Sequence, residues 1–302
     1  MGAAGICAIT RATGLAAMLL TLASHAASDN ASRSMGGGSC ANSIYNCVDT
    51  PNPLPQAQTV WLEDMTWMDV RDAMTRGSKT VIIPTGGVEP NGPWLILGKH
   101  NYVLRSTCAA IARKLGNALC APTIAFVPEG DIAKKSGHMD SVGTISVRQE
   151  TYEAIITDVA RSMQAHGFEH VVFISDNGGS NQQGMRKVAD TLNKEWTNAR
   201  AHYIPEYYGS WKGADDLLLK AGLTKAGVRD GIHDDPASTF LMMLADPASV
   251  RWEPRVKAGK ATIDGVSIAD KARALEWGNK LLEYRASMTA EAITKALAAR
   301  RQ

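Results

Sequence analysis

Residues 169–181 read EHVVFISDNGGSN, and this stretch decides how the rest of the chain is read. Val171, Val172, Phe173 and Ile174 are consecutive and apolar. Such a run fits a strand buried on both faces, as in a parallel sheet. Turn residues follow, Ser175-Asp176-Asn177-Gly178-Gly179, and then a helical period over residues 180–195. A strand, a Gly-Gly turn and a helix N-terminus in that order place backbone N–H groups where they could cradle an anion. No Walker lysine is present and GxGxxG is not satisfied. Asp176 and Asn177 read either as ligands or as turn formers.

Working outward, further strand-like runs occupy residues 80–84, 121–127 and 202–205, with helical periods over 102–115, 148–166 and 269–300 (one helix or two). The alternation predicts an α/β fold, a single three-layer α/β/α domain with a mostly parallel sheet, over residues 59–302. In such sheets function gathers in the loops beyond the carboxyl ends of the strands.

Residues 1–26 read as a signal peptide. Arg11 is the one charge before an apolar stretch over 12–23 that closes in Ser24-His25-Ala26, with cleavage expected after Ala26. The stretch is short for a membrane span, and the competing reading is an uncleaved anchor. A periplasmic or secreted protein is expected, off the membrane once cleaved. Residues 27–58 form a Ser/Gly/Pro-rich N-terminal arm. Cys7 leaves with the signal. Of the remaining four cysteines, Cys40 and Cys47 make the better pair, while Cys108 and Cys120 read as a bridge or as two buried thiols. With 32 Lys+Arg against 30 Asp+Glu and no basic stripe, nucleic acid is not an expected partner.

Three more loops carry candidate chemistry. Residues 86–101, GGVEPNGPWLILGKHN, present Glu89, Asn91 and His100 on a stretch that opens with two glycines and is stiffened by Pro90 and Pro93. A carboxylate and an imidazole on a stiff loop suit a divalent metal or acid–base work, and equally a glutamate capping a helix. Residues 136–147 contain His138 and Asp140, and residues 231–239, GIHDDPAST, contain His233, Asp234 and Asp235 ahead of an apolar helix. Acids at a helix start are favourable in their own right. His166, His170 and His202 sit at element ends and read as structural.

The order and spacing of the four loops resemble the creatininase family of metal-dependent amidohydrolases, whose motifs run G-s-x-E-q-H-G-P-H-L-P-l-G-x-D, e-H-x-x-F-P-G-T-i-s, N-G-H-G-G-N and H-A-G-x-x-E-T-S-x-m. Here they read GGVEPNGPWLILGKH, GHMDSVGTIS, SDNGGSN and HDDPASTFLM. The resemblance implies a creatininase-like fold and a metal centre, usually binuclear. Glu89, His138 and His233 keep their family residues. Asn91 and Trp94 replace the two histidines of the first loop, His100 replaces its aspartate, Asn177 replaces the histidine of the third, and Pro236 and Ser238 stand where acids are expected. Amide oxygens are poor zinc ligands, so a single site is favoured over a binuclear one, and oxygen-rich ligation favours manganese over zinc.

The implied roles are metal ligation by Glu89, His100 and Asp234, catalysis by His138, His233 and Asp176, and substrate contact by Asn91, Trp94, Asn177, Gly178 and Gly179. The implied partners are a divalent ion (Mn or Zn), a small-molecule substrate and further copies of the chain in a homo-oligomer. Two functions stand at this point. One is an exported hydrolase that opens a C–N bond of a small amide, cyclic ones included, through a metal-activated water. The other is a catalytically silent relative that binds a small ligand in the altered pocket. Paired-carboxylate glycoside hydrolysis is a weak third option, and no GxSxG elbow supports a serine hydrolase.

Overall fold

Thr80–Thr85 (β1) runs between Ala118–Cys120 (β2) and His170–Ser175 (β3), and β3 also pairs with Arg200–Tyr203 (β4). Every pairing is parallel, with Thr80 opposite both Ala118 and His170, and His170 opposite Arg200. The structure is a computed structural model and describes residues 39–225 and 232–299. The expected signal peptide and the start of the arm lie outside the described residues.

The helices are Trp67–Thr75 (α1), Lys99–Leu115 (α2), Gln149–Ala165 (α3), Ser180–Glu195 (α4), Glu206–Lys220 (α5), Pro236–Ala245 (α6), Trp252–Lys257 (α7) and Lys271–Ala298 (α8). Successive strand side chains point to opposite faces, which divides the apolar run of each strand between two cores. Val81, Ile83, Val171 and Phe173 meet Tyr152 and Ile156 of α3 and Met185 and Leu192 of α4. Ile82, Val172 and Ile174 meet Leu104, Cys108 and Ile111 of α2 and Ala286 and Ile293 of α8. Two covered faces make the three-layer α/β/α architecture and explain why the strands are apolar throughout rather than alternating. A third apolar cluster joins α5, α6, α7 and α8 through Leu218, Phe240, Leu241, Trp252 and Leu281. Thr262–Ile263 (β5) and Val266–Ser267 (β6) form a small antiparallel pair beside it.

The chain departs from the sequence expectation after β2. A strand over 121–127 is not formed, because Pro122 has no N–H to donate and the ladder stops at Cys120. Only a single bridge, Thr85 with Ile124, continues it. The α1 helix starts at a capping box of Thr66 and Asp69, and the closing helical period is one helix, α8.

The chain divides into two units, residues 1–55 and 56–302. Within the first, Cys40 and Cys47 form a disulfide around the short 3-10 turn Ile44–Asn46. Within the second, Cys108 of α2 bridges to Cys120 of β2, so both are disulfide-bonded rather than free. Among the described residues no helix is long and apolar enough to cross a membrane.

Candidate functional site

The carboxyl ends of β1 and β3, the chain beyond β2 and the first turns of α5 open onto one cleft of about 1430 Å³. The loop after β1 carries Glu89 into it. That loop is fixed from within: Glu89 N donates to Leu97 O (3.1 Å), and Asn91 Nδ2 donates to Glu89 O (2.9 Å) and Ile96 O (3.0 Å). The amide of Asn91 therefore holds the loop in shape.

Around the buried Glu89 carboxylate stand two histidines from distant segments. His138 Nδ1 lies 2.9 Å from Oε2 and His233 Nδ1 3.0 Å from Oε1, and the two rings meet edge to face at 5.1 Å. Among the described residues, Glu89, His138 and His233 form the group whose donor atoms all lie within 4.8 Å of one another. One carboxylate with two imidazoles is a donor set that zinc and manganese both accept, and the residues fit a single ion. Extension to a second ion finds no support in the neighbouring amides. Asn177 Nδ2 donates to the Glu129 carboxyl and Asn91 Nδ2 to the backbone.

The ligand grouping differs from the one expected in sequence. Both ring nitrogens of His100 are engaged, Nδ1 with Asp176 Oδ2 at 2.8 Å and Nε2 with Glu89 Oε1 at 2.9 Å. An imidazole held this way at both ends offers no lone pair to a metal. Both carboxylate oxygens of Asp234 are held by Arg255 at 3.1 Å. Asp176 has no exposed surface and is bound by His100, Arg285 (2.9 Å) and the Tyr207 hydroxyl (3.1 Å), a geometry for holding neighbours still rather than for acting as a base. Trp94 is placed with the third apolar cluster and beneath Arg255, whose Cζ lies 5.7 Å from its ring. Asn177, Gly178 and Gly179 do line the cleft, with Gly179 as the N-cap of α4.

Several site residues carry no mark in the sequence. Glu129, in the irregular chain beyond β2, puts Oε2 3.0 Å from His138 Nδ1. Lys99 places Nζ 3.0 Å from Glu89 Oε1 while itself buried. Tyr208 packs its hydroxyl so closely on Gly178 that a Cβ there would stand 2.6 Å from it.

The electrostatics follow from this crowding. Burial raises the Glu89 pKa, but hydrogen bonds from His100 and His233 and the charges of His100 and Lys99 outweigh it and hold the carboxyl well below its ordinary range. Glu129 goes the other way, pushed up to about 9 by burial and by the charge of Glu89. For His100, burial and Lys99 lower the pKa, and hydrogen bonds to Asp176 and Glu89 more than reverse this, raising it overall. Burial lowers that of His138 despite the nearby Glu89 charge.

The sequence profile of the creatininase family, described as creatinine amidohydrolase, matches residues 63–295. The chain belongs to the creatininase family. The mycofactocin precursor peptide peptidase of Mycobacterium ulcerans (strain Agy99) is 25% identical over 122 residues, 40% of this chain and 48% of that protein, so the chain spans about half the length of this curated relative. A solved creatinine amidohydrolase (creatininase) superposes with a TM-score of 0.60 at 19% identity, over 81% of this chain and all (100%) of that one. A Zn-Zn form of a mutant creatininase gives 0.61 at 17% identity, over 80% and 100%. At these identities the structural likeness establishes the creatininase fold. Within that fold, His138 and His233 of this chain close on Glu89, while His100 is tied between two carboxylates.

Proposed function

We propose that this chain is a metal-dependent hydrolase that cleaves an amide C–N bond outside the cytoplasm. The observation that carries the reading is the convergence of Glu89, His138 and His233, from three separate loops, to within 4.8 Å at the head of the cleft. Solved relatives are zinc and manganese forms, and the donor set suits either ion. A divalent ion held there supplies Lewis acidity to the amide carbonyl and lowers the pKa of a water molecule.

The remaining residues bind and orient. Glu129 Oε2 receives the Nδ1 side of His138 and fixes that ring. Lys99 and His100 balance the charge of Glu89 from behind. Gly178, Gly179 and Tyr208 line the same cleft, and their backbone N–H groups and hydroxyl are donors of the kind that stabilises the oxygen gaining charge as the carbonyl is attacked. At about 1430 Å³, the cleft exceeds the roughly 300–1,000 Å³ of a usual small-molecule pocket. It has room for amides ranging from a single small ring to a short peptide. Two disulfides support the exported location.

The test is metal content of the full chain purified without chelators, together with hydrolysis of creatinine-like rings and short peptides. We expect one ion per chain, lost in Glu89→Ala and in His233→Ala, and amide hydrolysis that a chelator stops. Absence of bound metal in the wild type would favour the silent ligand-binding reading.

A further inference from the structure

His233 adopts φ 53°, one of three positive-φ non-glycine residues among those described. Side chains seldom take this conformation unless their surroundings hold them in it, and His233 stands on a short strap with visible fastenings. On one side Gly92 N donates to Ile232 O at 2.6 Å, and the approach is so close that a Cβ on Gly92 would lie 2.5 Å from Asp234 Cβ. His233 Nδ1 itself stands 3.1 Å from Pro90 O. On the other side, the carboxylate of Asp234 is gripped by the fork of Arg255, Nη1 to Oδ1 and Nη2 to Oδ2, both at 3.1 Å. The guanidinium is anchored in turn: Nε donates to Lys260 O (2.9 Å) and Nη2 to Thr262 O (3.0 Å). Arg255 is 1% exposed and Asp234 4%.

We propose that Arg255 is a positioning residue for the metal site: by clamping Asp234 it holds the adjacent His233 in the left-handed conformation that sets the imidazole against Glu89. This rests on the reading that Glu89, His138 and His233 hold an ion. The pair is poorly explained by stability alone, since burying two charges costs about as much as their attraction returns and well-packed apolar residues serve a core at least as well. What a forked, doubly anchored guanidinium adds is direction. It ties the strap to the β5–β6 region while leaving the histidine free to face the cleft.

The experiment measures Zn²⁺ affinity of the full chain by chelator competition, and the visible spectrum of the Co²⁺ form, for wild type, Arg255→Lys, His233→Ala and the double variant. Lysine keeps the charge and loses the fork. We expect Arg255→Lys to weaken Zn²⁺ binding about 10- to 100-fold and to shift the Co²⁺ bands. Added to His233→Ala, it should cause no further loss, because the clamp acts through that side chain. Should Arg255→Lys fail to fold, Arg255→Met, an apolar replacement of similar length, takes its place. Unchanged affinity in a folded variant, or losses that add in the double variant, would overturn the positioning role. A wild type that binds no Zn²⁺ would instead overturn the metal reading, and the clamp's proposed role with it.

Discussion

Arg285 Nη2 stands 2.9 Å from Asp176 Oδ1, and neither side chain has any exposed surface. The guanidinium, with Cζ 3.7 Å from the Trp211 ring centre, also reaches Ser210 Oγ through Nε at 2.9 Å. It joins α8 to the loop after β3, and Asp176 passes the constraint on to His100 and so to Glu89. Burial would raise the Asp176 pKa, but the Arg285 charge and the His100 hydrogen bond hold it below the ordinary carboxylate value. Removing the guanidinium leaves a buried carboxylate short of its main counter-charge. Arg285→Met is expected to cost about 3–5 kcal/mol in urea unfolding. A loss below about 1 kcal/mol, the range of an exposed pair, would mean that water or a rearrangement compensates Asp176.

Glu129 and His138 make a second testable contact, Oε2 to Nδ1 at 3.0 Å. That Nδ1 also faces Glu89 Oε2, at 2.9 Å, so Glu129 holds the ring by the edge turned toward the candidate metal group and fixes its orientation. With its pKa pushed up to about 9, Glu129 is the neutral acid near pH 7, and Glu129→Gln keeps the size and an acceptor oxygen while replacing the acid hydroxyl by an amide. Metal affinity is expected to fall about 10- to 100-fold, read by chelator competition, with the far-UV spectrum unchanged. Wild-type affinity in this variant would remove Glu129 from the site.

The Cys108–Cys120 bridge closes a loop with a sequence separation of 12 between α2 and β2. Closing a loop of that order removes unfolded-state entropy equivalent to about 3 kcal/mol. Both sulfurs are fully buried, so reductant acts on this bond only after local opening. The paired replacement Cys108→Ala with Cys120→Ala is expected to lower stability by about that amount, measured by denaturant unfolding. An unchanged midpoint would show that the bridge adds no net stability over two packed alanines.

These residues show how far the sequence reached. The run Val171 to Ile174 announced β3, and α4 has the bounds its period predicted, because both depend on local pattern and on burial from two faces. Glu89, His138 and His233 are legible in the sequence as a carboxylate and two imidazoles on separate loops, read there as one ligand and two catalytic groups, and the structure brings the three together. Which of the charged residues would meet was not visible, since that is set by tertiary placement. Arg285 lies 109 positions from Asp176 inside an ordinary helical period, and Glu129 sits in a Pro-Glu-Gly-Asp string that reads as a turn. Asp234 looked like a ligand because its partner, Arg255, approaches from a short helix that no motif marks. His100 looked like one because nothing in sequence shows that a carboxylate waits at each of its nitrogens.

The last prediction concerns the opposite end of the sheet. His170 at the start of β3 and His202 in β4 face each other, Nδ1 to Nε2 at 3.1 Å. Burial, then the neighbouring His170 and Arg200, push the His202 pKa down from 6.5 to about 4. The native state therefore keeps His202 neutral at pH values where the unfolded chain has already taken up a proton. Stability from this source is complete above pH 6.5 and is lost as the pH falls from there toward 4. A difference of this size corresponds to something of order 3 kcal/mol. Wild-type protein should lose denaturant stability steadily between pH 6.5 and about pH 4.5, and His202→Gln, which cannot titrate, should show a shallower slope across the same window. Parallel slopes in the two proteins would mean that His202 takes up its proton without cost, and that other groups drive any acid sensitivity.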